Sequence, residues 1–322
     1  MTFSANGEYL LTSGPTGKGV QFAVGVWRVE DGELEQTATV QVRAVECLTV
    51  SKDGRWIAAG TVDGEVCVLD TTTYEKGFSH WEEYHHFLGV DFSPDATRLV
   101  SASKNGTAAI WDIAARKRVQ TLDHGDVVRA AKYSPQGDRI ATATLQSVQV
   151  WDSNNGRLLV NINVTVTQWY NTSLLWFNNH LFVISNNKIK QIEASTGSTV
   201  SEWPVPDSMA RSCIALPKHG KFIAYSTKRT VTFWDTATHT QLGLIQHPQD
   251  IHSISVSPDD RFLAIGGKDG RVTINNLSRI TVSIMSRRIV VHMNHFLAPI
   301  IFNAIQSLCL IYAPHSRNQT FG

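Results

Sequence analysis

The feature that most restricts how this chain can fold is a period. Trp27, Leu69, Trp111, Trp151, Ile192, Trp234 and Asn275 stand 42, 42, 40, 41, 42 and 41 residues apart, and Asp follows the Trp at 112, 152 and 235. A second landmark, an apolar residue followed by Ser-Pro or a relic of it, runs about 19 residues ahead in most units: Phe3-Ser4, Val50-Ser51, Phe92-Ser93-Pro94, Tyr133-Ser134-Pro135, Leu216-Pro217 and Val256-Ser257-Pro258. The fifth unit has lost most landmarks, but its Ser195-Thr196-Gly197 tail keeps the phase. Two landmarks in one register describe an architecture that grows by repetition, each unit burying its apolar face on the next. A length of 322 residues agrees, being more than one hydrophobic core usually supports.

Inside each unit, short apolar or β-branched runs alternate with turn dipeptides. DGRWIAAGTVDGEVCVLD places turns at Asp53-Gly54 and Asp63-Gly64, and Asn105-Gly106 and Asp269-Gly270 repeat the second of them. Such dipeptides are expected to form two-residue type I′ hairpin turns, because Asn, Asp and Gly best tolerate positive φ at both central positions. Three or four strands per unit make one antiparallel sheet that cannot bury both faces alone. It must stack on its neighbours.

These features, FSP, then a DG turn, then an apolar run ending in WD, resemble the WD-repeat family over residues 3 to about 277. The resemblance implies an all-β fold: a seven-bladed β-propeller of four-stranded antiparallel blades, occupying 1–299 and followed by an apolar tail at 300–322. It also implies a partner set for the Trp indole, made of a His before the first strand, a Ser or Thr on the second and the Asp of the second turn. No unit keeps the whole set: the third has Ser103, Asn105 and Trp111, the fourth His124 and Trp151 with Leu145 at the Asp position, the seventh His247 and Asp269 with Asn275 for Trp. Apolar burial between blades is therefore expected to carry the stability.

The first unit begins at the end of an inner strand. Counting from Asn275 as in other units sets Leu297-Ala298-Pro299 where FSP belongs, so 279–285 is expected as the outer strand of blade seven and 288–296 as the inner strand of blade one. The run 296–313 is apolar, with Arg287 and Arg288 on one flank, but Pro299, Asn303, Gln306 and Ser307 interrupt it and a membrane span needs about 20 predominantly apolar residues. A strand followed by a helix packed on the ring, or a poorly ordered apolar end, is the expected form of this tail, and a membrane-tethered adaptor is the alternative.

Composition narrows the function classes. Lys plus Arg number 29 against 28 Asp plus Glu, so no overall field draws the chain to nucleic acid or an anionic membrane, and no stripe of Arg and aromatic residues marks a nucleic-acid surface. Cys47, Cys67, Cys213 and Cys309 form no CxxC, which suits reduced thiols in the cytoplasm or nucleus. MTFSANGEYL lacks the basic and apolar regions of a secretory signal. SGPTGKGVQF, 13–22, breaks the spacing of a phosphate loop and reads as a long hairpin loop. HWEEYHHF, 80–87, gathers three His and two Glu without a zinc-site spacing and reads as a solvated connection. The inner-strand runs offer only Glu46, Asp91 and His252 to a central channel, too little for a hydrolase centre. Arg116 stands two places too late for the Trp-Asp-x-Arg signature of the family's ubiquitin-ligase adaptors.

The expected function is thus not enzymatic: a scaffold for protein or peptide partners, without cofactor or metal and with no signal for homo-oligomers. A divergent propeller hydrolase is the remaining alternative. The family's contact positions, carried over by offset from FSP and from the turn Asp, are His86, Leu88, Val127, Arg129, Met209, Arg211, Asp250 and His252, with Lys104 and Lys268 from the turns. Tyr170 and Thr172 are their nearest equivalents in the fifth unit.

Overall fold

The computed structural model describes residues 1–15, 22–82, 85–165, 174–206 and 212–277. They form seven antiparallel sheets in chain order, each strand paired with the next. Blade three shows the plan: Phe87–Phe92, Arg98–Ser103, Thr107–Asp112 and Lys117–Asp123 run from inner to outer strand. The other sheets fall within 2–41, 45–81, 130–163, 174–204, 214–246 and 251–276. Among the described residues blade seven has three strands and the other blades four. The segments expected to complete blade seven and blade one, 279–285 and 288–296, lie outside the described residues, as does the tail. Among the described residues the inner strand of blade one is Thr2–Phe3, pairing with Leu11 and Leu10. No helix among the described residues is long and apolar enough to cross a membrane.

The core lies between blades, in seven apolar clusters for seven interfaces. Leu11, Val24 and Val26 of blade one meet Ile57, Ala59 and Leu69 of blade two, and the pattern repeats around the molecule. The seventh cluster joins the ends of the described chain: Phe3, Leu10 and Trp27 of blade one pack with Phe262, Ala264 and Val272 of blade seven. The N-terminal amine of Met1 also reaches Ser253 Oγ, at 3.5 Å. The ring is therefore closed by packing of blade seven on blade one.

The repeated Trp faces the preceding blade, so its N–H must be satisfied where it is buried. Trp27 donates to Thr12 Oγ1 at 2.9 Å, Trp111 to Ser101 Oγ at 2.8 Å and Trp151 to Thr142 Oγ1 at 2.8 Å. In blade three the partner is Ser101, not the Ser103 expected from the resemblance. Both residues point the same way from the strand, but the register sets Trp111 opposite Leu99, and Ser101 is the nearer. The equivalent positions beside Leu69 and Ile192 hold Ala59 and Val183, where no N–H needs a partner. Trp234 finds Thr232 on its own strand instead, at 3.0 Å.

The other landmarks are turn chemistry. Ser51 donates to Asp53 Oδ1 at 2.5 Å and accepts the Trp56 N–H at 2.8 Å, closing the first turn of blade two. Ser93 with Asp95 and Ser257 with Asp259 do the same. The Asp after the Trp caps the last turn: Asp235 accepts the N–H groups of Ala237 and Thr238 at 2.9 and 2.7 Å. The I′ expectation for the DG and NG turns is corrected. At 53–54, 63–64, 105–106 and 269–270 only the glycine has positive φ, so each closes a longer loop with one left-handed residue. Two adjacent positive-φ residues occur instead at Asp31-Gly32 and Asn186-Asn187.

Candidate interaction face

Antiparallel order brings three parts of every blade to one face: the start of the inner strand, the turn between second and third strands, and the end of the outer strand. Backbone bonds stitch these parts together. The turn accepts from the connection that leaves its blade, as in Glu82 N–H to Gly64, His124 to Gly106, Val205 to Asn187 and His247 to Arg229. It donates to the connection that enters, as in Lys104 N–H to the His86 carbonyl at 2.9 Å and Lys268 to Asp250 at 2.7 Å. Loops held in this way present side chains from fixed positions.

The structure brings the expected contact residues into two groups. In the first, His86 and Lys104 are joined by that backbone bond, and Val128 N–H donates to the Ser103 carbonyl, which holds Val127 and Arg129 beside the same turn. Lys104 is exposed, whereas His86, Leu88, Val127 and Arg129 are half-buried. Burial, and then the Lys104 charge, push the His86 pKa down to about 4, so its imidazole is neutral at physiological pH. The second group is Asp250, His252 and Lys268. The Asp250 carboxylate accepts Arg229 Nε at 2.9 Å, and this bond holds its pKa below the usual range. The His252 carbonyl accepts the Cys213 thiol, at 3.4 Å. Tyr170, Thr172, Met209 and Arg211 lie outside the described residues.

Sequence reasoning missed Lys228 and Arg229. The expected contact position was found by counting from a turn Asp, and the sixth unit has none. Its hairpin is also one residue shorter than that of blade three, since Ile223 pairs with Trp234 but Leu99 with Trp111. A signal was present: a Lys-Arg pair between Thr227 and Thr230, whose hydroxyls bond to each other across the turn.

The HWEEYHHF connection is better organised than expected. Glu82 accepts Arg118 at 2.7 Å, pairs with His85 at 2.5 Å and with His80 at 3.2 Å, and its side chain is only 15% exposed. His80 in turn lies over Trp111, ring centroids 4.8 Å apart. This network joins blades two and three. Among the described residues no three His, Cys, Asp or Glu converge as a metal site. On the channel side, Asp91 is already engaged with blade four, accepting Lys132 Nζ at 3.0 Å and the Tyr133 N–H at 2.9 Å.

A family profile described as the Nucleolar protein 10-like N-terminal domain matches residues 19–184, just over half of the chain, and one described as the WD domain, G-beta repeat, matches 239–275. The chain belongs to the WD-repeat β-propellers. Relatives of this WD-repeat chain include the U3 small nucleolar RNA-associated protein 15 homolog of Xenopus laevis, 24% identical over 71% of this chain and 45% of that protein. The Small ribosomal subunit protein RACK1 of Glycine max is 33% identical over 23% of each chain, and WD repeat-containing protein 1 of Gallus gallus 35% identical over 29% of this chain and 16% of its own. The WD-repeat chain thus aligns with less than half the length of each of these relatives.

Proposed function

We propose that this propeller is a non-catalytic scaffold in the nucleus, with the nucleolus as its main site, and that it holds protein partners on its connection face. The observation that carries the reading is the stitched rim: turn and connection are bonded through their backbones, while Lys104, Lys228, Arg229 and Lys268 extend outward from it. A rigid platform with exposed, variable side chains suits recognition, in which few residues supply most of the energy. The placement is supported by the profile described as nucleolar and by the U3-associated relative. The role of Asp91 in tying blades three and four adds support for a structural rather than catalytic channel.

The test is affinity purification of the tagged full chain from its native cell, beside a Lys104→Glu, Val127→Asp variant, with imaging of both. The wild type is expected in the nucleolus with a defined set of proteins, and the variant is expected to lose members of that set at an unchanged melting temperature. An unchanged set would overturn the role of this face, and a wholly cytoplasmic wild type would overturn the nucleolar assignment.

A further inference from the structure

Among the described residues, the neighbouring hairpins of blades six and seven carry a cluster of cations on the connection face. Lys228 and Arg229 form the tip of the blade six hairpin, and Lys268 and Arg271 flank that of blade seven. Both tips are bonded to the connection between them: Ile251 N–H donates to the Lys228 carbonyl and Lys268 N–H to the Asp250 carbonyl, each at 2.7 Å. Two carboxylates lie beneath. Asp250 receives Arg229 at 2.9 Å and has Lys228 at 3.9 Å, and Arg271 stands 3.7 Å from Asp269. The cations are the outer layer, with the Lys228 and Arg229 side chains 65% and 61% exposed against 25% for Asp250. Four cations over two anions leave two positive charges in excess. Counted from the second strand, the turns of blades two and four carry Val62 and Leu145 where Lys stands in blades three, six and seven, the blade four hairpin being one residue shorter than that of blade three.

We propose that Lys228, Arg229, Lys268 and Arg271 form a binding site for an acidic, Asp- or Glu-rich segment of a partner protein. The arrangement around Asp250 shows how these cations receive a carboxylate: the Arg229 guanidinium donates to one oxygen at 2.9 Å, and the Lys228 ammonium lies 3.9 Å from the other, at ion-pair rather than hydrogen-bond distance. A single-stranded nucleic acid is the competing polyanion, but it binds by stacking bases on exposed aromatic rings as well as by charge. Among the described residues the exposed large apolar side chains are Val62, Trp81, Val119, Leu158 and Val200, all on blades two to five. This inference rests on the scaffold reading and specifies the partner for one arc of its face.

The experiment is fluorescence anisotropy of the full chain with a labelled eight-residue glutamate peptide over a range of salt concentrations, alongside a labelled oligouridylate of equal charge. Peptide binding is expected to weaken steeply with salt, as exposed charge pairs do. It is expected to fall at least about tenfold in the Lys228→Glu, Arg229→Glu, Lys268→Glu variant and to persist in the Lys104→Glu, Val127→Asp variant. Single Lys228→Gln and Lys268→Gln substitutions, each expected to weaken binding several-fold, decide the matter if the triple variant does not fold. No binding, binding indifferent to these residues, or tighter binding of the oligouridylate through them would overturn the site. None of those results bears on the Lys104 and Val127 experiment, which tests the scaffold reading separately.

Discussion

Trp111 and Trp151 remain buried because a hydroxyl on the neighbouring strand accepts each indole N–H. Ser101→Ala would leave a buried donor unsatisfied, at a cost of about 1–3 kcal/mol measured by denaturant unfolding. Ala59→Ser, at the equivalent position beside Leu69, is expected to bring no gain, since there is no indole N–H to receive. In blade four the chain of bonds continues: Thr142 also meets His124 Nε2 at 2.7 Å, and His124 Nδ1 lies 3.0 Å from the Leu122 carbonyl. In the neutral ring that burial favours, with Nδ1 donating to that carbonyl, Nε2 accepts the Thr142 hydroxyl. Burial lowers its pKa, as it does that of His86. A base whose folded pKa is depressed costs stability as pH falls below its unfolded value, near 6.5, because the unfolded chain takes up the proton first. Stability is therefore expected to decline from about pH 6.5 towards 4, and His86→Asn to flatten part of that slope. A second decline is expected below about pH 4, where Asp70, Asp152 and Asp235 lose the amide bonds that depress their pKa values. Denaturant midpoints measured across pH 3–8 would show both.

At the scale of the element, the landmarks visible in the sequence were those that build turns. Ser of FSP and Asp of WD each bond the backbone within a few residues, so their chemistry is local and readable. The backbone conformation of the DG turns was not readable, because a glycine closing a loop of three to five residues looks the same as one in a two-residue loop. The choice of Ser101 over Ser103 was hidden for a similar reason: strand residues two apart share a face, and only pairing register separates them. The basic hairpin at Lys228-Arg229 escaped because its turn lost both a residue and the Asp used as a ruler. Glycine substitutions test how tightly the face is built. A Cβ at Gly64, φ +102°, would come within 2.1 Å of the Glu82 carbonyl, whereas one at Gly125, φ +67°, meets nothing within 4 Å. Gly64→Ala is expected to cost well over about 2 kcal/mol and Gly125→Ala only about 1.

Across the described residues, stability is shared among seven apolar interfaces, and the one between blades seven and one joins elements far apart in sequence through a smaller buried cluster than that between blades one and two. The seven-fold period was legible from Trp27 to Asn275, and it implied stacking, but a period alone does not distinguish a ring from a line of sheets. The contacts of Phe3 and Trp27 with Phe262 make that distinction. Phe262→Ala is accordingly expected to cost about 3–5 kcal/mol, as in any packed core, and to do so through one cooperative transition. The candidate face was legible only where a unit kept its landmarks. The most direct test of the closed ring is a distance measured by spin labelling at Asp31→Cys and Arg261→Cys, in a Cys309→Ser background. Neighbouring sheets pack roughly 10 Å apart, so a closed ring gives a label separation of about 10–20 Å. A separation near 60 Å, the span of seven sheets stacked in a line at roughly 10 Å each, would contradict the account.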